Sequence, residues 1–224
     1  MTVPVLILAS ASPRRSQLLG QISVAHRILP VDADETPHAN ETPEDYVVRV
    51  AVEKARHGWE RCGGELPVLA ADTAVVLDEA ILGKPRDEAD AVAMLRLLSG
   101  REHRVLSAVA LCCAGRDSCS GEFIRRDPTA LRGQSRSPLQ PDREQTALSV
   151  SRVRFRALGD DEIRAYCRTG EPRDKAGAYA IQGVGAVFVE QLEGSYSGVM
   201  GLPLFETARL LQAAGVHLLP ESES

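Results

Sequence analysis

The sequence predicts an α/β protein on three observations. Short apolar runs that read as strands alternate with amphipathic stretches that read as helices, no segment repeats, and the composition is that of an ordinary globular domain. Hydrophobic residues make up 44% and charged residues 25% of the 224, too apolar for a disordered chain and enough for a real core. The apolar runs stay far below the ~20 residues of a membrane span. The first of them, VPVLILA, lacks the basic flank and cleavage site of a secretory signal. The expectation is a cytoplasmic protein with no membrane partner. Five cysteines, odd in number and without a CxxC pair, read as reduced thiols rather than a disulfide framework or a zinc site.

Taken in order, Val3 to Ala9 reads as a buried strand, and Pro13 opens a short helix through Leu19 before Gly20. Thr42-Pro43-Glu44-Asp45 is an N-cap, a first-turn proline and an acidic first turn, starting a helix to about Arg61 with Val47, Val50, Ala51, Ala55 and Trp59 as its apolar face. Pro67 to Val76 is a strand interrupted by Asp72-Thr73, and Ile81-Leu82 returns after a turn at Asp78-Glu79, as in a hairpin. Asp87 caps a helix to Ser99, closed by Gly100. His103 to Cys113 and Ala147 to Phe155 read as strands. Between them, residues 115–145 are rich in Arg, Ser, Gly, Pro and Asp and read as a disordered insertion. A helix from Asp160 to about Arg168, a glycine-rich segment from Ala176 to Gly185, a strand near Ala186 to Gln191 and a helix from Pro203 to Ala214 complete the chain. One domain over 1–218 with a flexible tail at 219–224 is expected.

The net charge of −5 gives no basic footprint for nucleic acid. The 26 basic residues are 23 arginines and only three lysines, Lys54, Lys84 and Lys175. Where composition replaces lysine by arginine at interchangeable positions, the surviving lysines should mark places that need a compact ammonium; chance surface lysines are the alternative.

The chemistry-bearing residues are scattered. Ala9-Ser10-Ala11-Ser12-Pro13-Arg14-Arg15 sits at a strand exit and a helix N-terminus, where free N–H groups, hydroxyls and guanidiniums suit a phosphate. Asp32, Asp34 and Glu35 cluster within four positions; a solvated loop fits the first two, and Glu35 is a candidate metal ligand. Asp72 lies among small and apolar neighbours, where a carboxylate must be compensated by a metal, a base or hydrogen bonds. Lys54 shares the apolar helix face of Val47, Val50 and Ala51, and Lys84 sits in the turn Gly83-Lys84-Pro85. This is the inventory of a nucleotide or phosphate-ester site. Walker A, GxGxxG, GxSxG and HExxH patterns do not occur, and the five histidines make no ligand spacing.

At these residues the sequence resembles the Maf-like nucleoside triphosphate pyrophosphatases. The matching pieces are LASASPRR (8–15), DADETP (32–37), VEKA (52–55), AADTAV (70–75), LGKP (82–85), EPRDKAGAYAIQG (171–183) and GLP (201–203). The resemblance implies an elongated mixed sheet flanked by helices with a nucleotide cleft, similar to inosine triphosphate pyrophosphatases and often homodimeric. It implies metal-dependent hydrolysis of a nucleoside triphosphate, dTTP or UTP, to the monophosphate and pyrophosphate, with Mg²⁺ or Mn²⁺ as cofactor. Asp72 looks like the family's general base and, with Glu35, its metal site. Arg14, Thr73 and Gln182 look like its specificity positions, and Ser10, Lys54 and Lys84 match other site residues. A pyrophosphatase for 7-methyl-GTP or another modified nucleotide is one alternative; a nucleotide-binding regulator of cell division without turnover is another. The chain departs from the family pattern with serine for threonine at Ser107 and Ser151 and with Gly198 where asparagine is usual, none of them expected to touch the site.

Overall fold

The computed structural model describes residues 3–114, 141–216 and 218. Among the described residues, seven strands form one mixed sheet: β1 (Leu6–Leu8), β2 (His26–Ile28), β3 (Val68–Leu77), β4 (Ala80–Leu82), β5 (Glu102–Cys113), β6 (Arg143–Phe155) and β7 (Val189–Glu193). Their order is β2-β1-β3-β5-β6-β7, with β4 added to β3. β1 runs parallel to β2 and β3, and the other pairings are antiparallel. The α/β class and the elongated mixed sheet are as expected.

Helices α1 (Pro13–Gln21), α2 (Pro43–Cys62), α3 (Glu88–Leu98), α4 (Asp160–Arg168), α5 (Tyr196–Met200) and α6 (Leu204–Ala213) flank the sheet. α2 starts where the sequence signals it, with Thr42 Oγ1 accepting from the Asp45 N–H at 3.1 Å. Its expected apolar face is buried against the sheet together with Ala70, Ala74 and Val76 of β3. Gly58 lets it approach: a Cβ there would stand 2.8 Å from Val68 Cγ1 and 2.9 Å from Ala9 Cβ. The opposite side of β3, through Leu69 and Ala71, packs on Leu18 and Leu19 of α1 and Leu210 and Leu211 of α6. A third apolar cluster joins α3 and α4 to the far end of β3, β5 and β6.

One gap in this architecture creates the site. On the β3 edge away from β5, β1 pairs with Val68 and Leu69, and β4 pairs with Val75 to Leu77. Neither strand pairs with Ala70 to Ala74. The sheet is open there, and because side chains alternate along a strand, Asp72 projects to the α2 side and Thr73 to the α1 side.

Several expectations are corrected. Arg143–Gln145 belong to β6 rather than to the insertion, because their alternation of inward and outward residues pairs them with Leu111 to Cys113. Residues 115–140 of the expected insertion and the expected tail lie outside the described residues, while 141 and 142 lead into β6. Gly20 lies within α1 instead of ending it. Val184–Phe188 forms a 3-10 turn, so the following strand starts at Val189. β2 and α5 were not expected: three residues and five residues are too short to show a period.

Candidate active site

A cleft of about 420 Å³ opens at the gap in the sheet. Ser10, Arg14, Glu35, Lys54, Asp72, Thr73, Lys84 and Gln182 all line it, so the fold brings together every candidate residue singled out in the sequence. Lys175 lines it too. The three lysines of a 23-arginine chain therefore converge on one cavity.

Asp72 and Lys54 form its buried centre. α2 delivers Lys54 along its apolar face, and Nζ donates to Asp72 Oδ1 at 2.8 Å and to Glu35 Oε1 at 2.7 Å. Lys84 Nζ reaches the other Glu35 oxygen, Oε2, at 3.2 Å. Burial pushes the Glu35 carboxyl up, but the hydrogen bonds and charges of Lys54 and Lys84 outweigh it and hold the group below the usual carboxylate range. Among the described residues, Asp72 has Lys54 as its side-chain hydrogen-bond partner, through one oxygen only.

The loop carrying Glu35 is fixed by residues the sequence did not mark. Arg49 donates to the Asp34 and Thr36 carbonyls at 3.2 and 3.0 Å while pairing with Glu41 at 2.6 Å. That hydrogen bond lowers the Glu41 carboxyl to about 2. The Tyr46 phenol donates to the Glu35 carbonyl at 3.0 Å, and burial raises its pKa, keeping it a donor. The signal was present: Arg49 falls three residues after Tyr46 on the helix that carries Lys54. Asp34 makes a local turn to Thr36, as a solvated loop residue would.

On the α1 side, Ser10 Oγ accepts from the Ser12 N–H at 3.2 Å and from Arg15 Nη1 at 3.2 Å. Arg15 Nε donates to the Gly201 carbonyl at 2.8 Å, which ties the α1 start to α5. Arg15 thus has the stronger structural anchorage, while Arg14, which also lines the cleft, has Asp174 as its ion-pair partner among the described residues, 3.9 Å away. Gln182 is exposed at the rim. Its loop hangs on Glu171, whose carboxylate accepts from Val184 N and Gly185 N at 3.0 Å each and from the Tyr166 phenol at 2.8 Å.

One departure from the family pattern, Ser107, does touch a site residue, contrary to expectation. Ser107 Oγ stands 2.8 Å from Thr73 Oγ1 and donates to the Gly198 carbonyl at 2.6 Å, because β5 runs directly beside β3 and α5 packs behind it. Ser151 receives the Ser195 N–H at 3.0 Å at the foot of the same helix.

Five basic side chains line the cleft against four carboxylates, close to charge balance, so a polyanionic ligand would bring negative charge that these residues alone do not neutralise. Among the described residues no helix is long and apolar enough to cross a membrane.

The Maf-like protein family model matches residues 5–214. The dTTP/UTP pyrophosphatase of Methylococcus capsulatus is 50% identical over 211 residues, covering 94% of this chain and 91% of that protein. The dTTP/UTP pyrophosphatase of Nitrosomonas europaea is 47% identical, covering 95% and 96%. Among solved structures, a nucleoside-triphosphatase described as a dITP/XTP pyrophosphatase from Mycobacterium abscessus aligns over 96% of this chain and 97% of its own, at 17% identity and a TM-score of 0.41. A family match over nearly the full described chain, with relatives of such identity over such coverage, leaves one assignment: the chain belongs to the Maf-like protein family.

Proposed function

We propose that this protein hydrolyses dTTP and UTP to the nucleoside monophosphate and pyrophosphate. The observation that carries the reading is the chain Asp72–Lys54–Glu35–Lys84 set in a cleft at an open sheet edge. The substrates follow from the names of relatives about half identical over nearly their whole length.

In this reading Lys84, Arg14 and the N-terminus of α1 hold the triphosphate, and Ser10 presents its hydroxyl beside them. Asp72 takes a proton from a water whose oxygen bonds to the α-phosphorus; the bond to the α,β-bridging oxygen breaks, and pyrophosphate leaves with that oxygen. Lys54 keeps Asp72 and Glu35 fixed and compensated within a buried site.

The residues present fit a hard divalent cation. Glu35 and Asp72 supply carboxylate oxygens, and among the described residues no three acidic, histidine or cysteine side chains converge as a complete ligand set. Mg²⁺ or Mn²⁺ would therefore draw its other ligands from phosphate oxygens and water. When bound, it supplies the positive charge that the near-balanced cleft lacks. A cytoplasmic location and a homodimer belong to the same reading.

Purified protein with dTTP, UTP, CTP, GTP, 7-methyl-GTP and ATP tests it. dTTP and UTP should release pyrophosphate fastest, and hydrolysis in ¹⁸O-water should place the label in the monophosphate. Orthophosphate as the product, preference for 7-methyl-GTP, or binding without turnover would each replace this reading.

A further inference from the structure

Residues 30–36, which carry Glu35, form neither helix nor strand. Five of their carbonyls are nevertheless satisfied, each by a side chain of α2. Arg61 donates to the Pro30 carbonyl, His57 Nδ1 to that of Asp32 at 2.7 Å, and the Tyr46 hydroxyl to that of Glu35 at 3.0 Å. Arg49 reaches the two carbonyls flanking Glu35, Asp34 from Nη1 at 3.2 Å and Thr36 from Nη2 at 3.0 Å. The segment is thus a strap running antiparallel to the helix. Tyr46, Arg49, Lys54, His57 and Arg61 fall on one side of α2 at its 3.6-residue period. Among the described residues, no backbone–backbone hydrogen bond holds residues 30–36 themselves.

Arg49 is locked in turn. Its Nε and Nη2 meet the two oxygens of Glu41 at 2.6 and 2.9 Å, fork to carboxylate, and Nη1 reaches Glu53 at 3.3 Å. Its side chain is mostly withdrawn from solvent. A carboxylate that ligates a cation has to be held to within about 0.5 Å by groups that are themselves fixed. A strap without a backbone ladder of its own takes that rigidity from α2. The helix therefore holds Glu35 twice, at the carboxylate through Lys54 and at three successive carbonyls through Arg49 and Tyr46.

We infer that Arg49 and Tyr46 are positioning residues for the Glu35 carboxylate, and that the strap they pin along α2 sets how tightly the site takes a divalent cation. The inference rests on the metal reading of Glu35 and Asp72 above.

The test is Mn²⁺ binding to the nucleotide-free protein, read from the electron paramagnetic resonance signal of free Mn²⁺, beside the Mn²⁺ dependence of kcat with dTTP. Arg49→Lys keeps the charge but loses the fork, so it cannot hold both carbonyls and Glu41 at once. It should weaken Mn²⁺ binding about tenfold and raise the Mn²⁺ needed for half-maximal turnover in step, while kcat at saturating Mn²⁺ stays near wild type. Tyr46→Phe, which removes one donor and no charge, should shift both in the same direction by less. In a Glu35→Gln background, Arg49→Lys should leave Mn²⁺ binding where Glu35→Gln alone puts it. If Arg49→Lys does not fold, Tyr46→Phe in the same two backgrounds decides. Wild-type Mn²⁺ binding in the variant, a loss of equal size in the Glu35→Gln background, or a kcat that falls with Tm and is not restored by Mn²⁺ overturns the inference while the metal reading stands. A wild-type protein that binds no Mn²⁺ overturns the metal reading, and this inference with it.

Discussion

The buried ammonium of Lys54 donates to Asp72 Oδ1 at 2.8 Å, joining a helix face to the stretch of β3 between its pairings with β1 and β4. Both side chains are about nine-tenths withdrawn from solvent. Removing one partner of such a pair strands the other charge, whereas a neutral isostere keeps the packing.

Asp72→Asn should therefore fold, bind nucleotide and lose turnover by ~10²-fold or more, since an amide cannot take the proton from water. Lys54→Met should instead lower Tm and activity together, by leaving Asp72 and Glu35 without their common donor. Thermal melts beside kcat measurements separate the two. An Asp72→Asn enzyme with wild-type kcat removes Asp72 from proton transfer.

A second prediction concerns residues 116–140. Cys113 pairs with Arg143, so the chain ends flanking that stretch are already adjacent and a short turn can close the β5–β6 hairpin. Replacing 116–140 with six Gly/Ser residues should change closure by only ~1 kcal/mol and leave kcat/KM unaltered. Extending the replacement to 144 removes the Arg143 and Glu144 strand pairs, the Arg56–Glu144 ion pair and the Arg143 bond to the Ala213 carbonyl. That longer deletion should show a clearly lower Tm. Equal Tm values would mean that the first two residues of β6 contribute nothing to the hairpin.

What could be read from the sequence follows from how local each signal was. α2 announced itself through a cap, a proline and an apolar stripe, all within twenty residues. Lys54, Lys84 and Lys175 stood out because composition made lysine rare. The start of β6 was hidden because Arg-Glu-Gln has the polarity of the segment before it, and strand pairing with Cys113 is what gives it shape. Ser107 showed in the sequence as a departure from the family pattern, and its contacts stayed hidden for a different reason. Its partners are 34 and 91 residues away, and a serine within an apolar strand carries no mark of the hydroxyl it orients.

His103 should make stability fall on the acid side. Its ring is buried, bonded through Nε2 to the Tyr179 phenol at 2.9 Å and set edge-on to Phe155, with Nδ1 unpartnered among the described residues. Burial lowers its pKa to about 4, against roughly 6.5 in the unfolded chain. Between those values the unfolded state binds the proton and the folded state does not, so stability rises with pH. The contribution is complete above about pH 6.5 and about 3 kcal/mol is lost as the pH falls through 4. Urea unfolding of wild type and His103→Phe from pH 7.5 to 4 should show a shallower slope in the variant. Parallel slopes would assign the acid sensitivity to the carboxylates instead.

The last prediction turns on Gln182 and the carboxylate that holds its loop. Glu171 accepts from Val184 N and Gly185 N, and Tyr166, bonded to Glu171, accepts from Ala180 N at 3.2 Å, so the chain is pinned on both sides of Gln182. Burial raises the Glu171 carboxyl, but those N–H groups and the phenol outweigh it and keep the group charged at neutral pH. Gln182 itself is exposed at the cleft rim, so changing it to Glu should leave the pinning and Tm intact. A uracil or thymine edge offers N3–H beside a carbonyl, which an amide matches with one acceptor and one donor. A carboxylate has no donor for that carbonyl. Gln182→Glu should therefore lower kcat/KM for dTTP and UTP by ~1–3 kcal/mol, the penalty of an unpaired polar group. Guanine presents two adjacent donors, so guanine triphosphates should lose less or gain. Gly183→Ala is the control: a Cβ there would fall 2.3 Å from Glu171 Oε2, which dislodges the loop and should depress every substrate together. If Gln182→Glu behaves like Gly183→Ala, with all bases falling in step, the rim glutamine supports the loop and does not read the base.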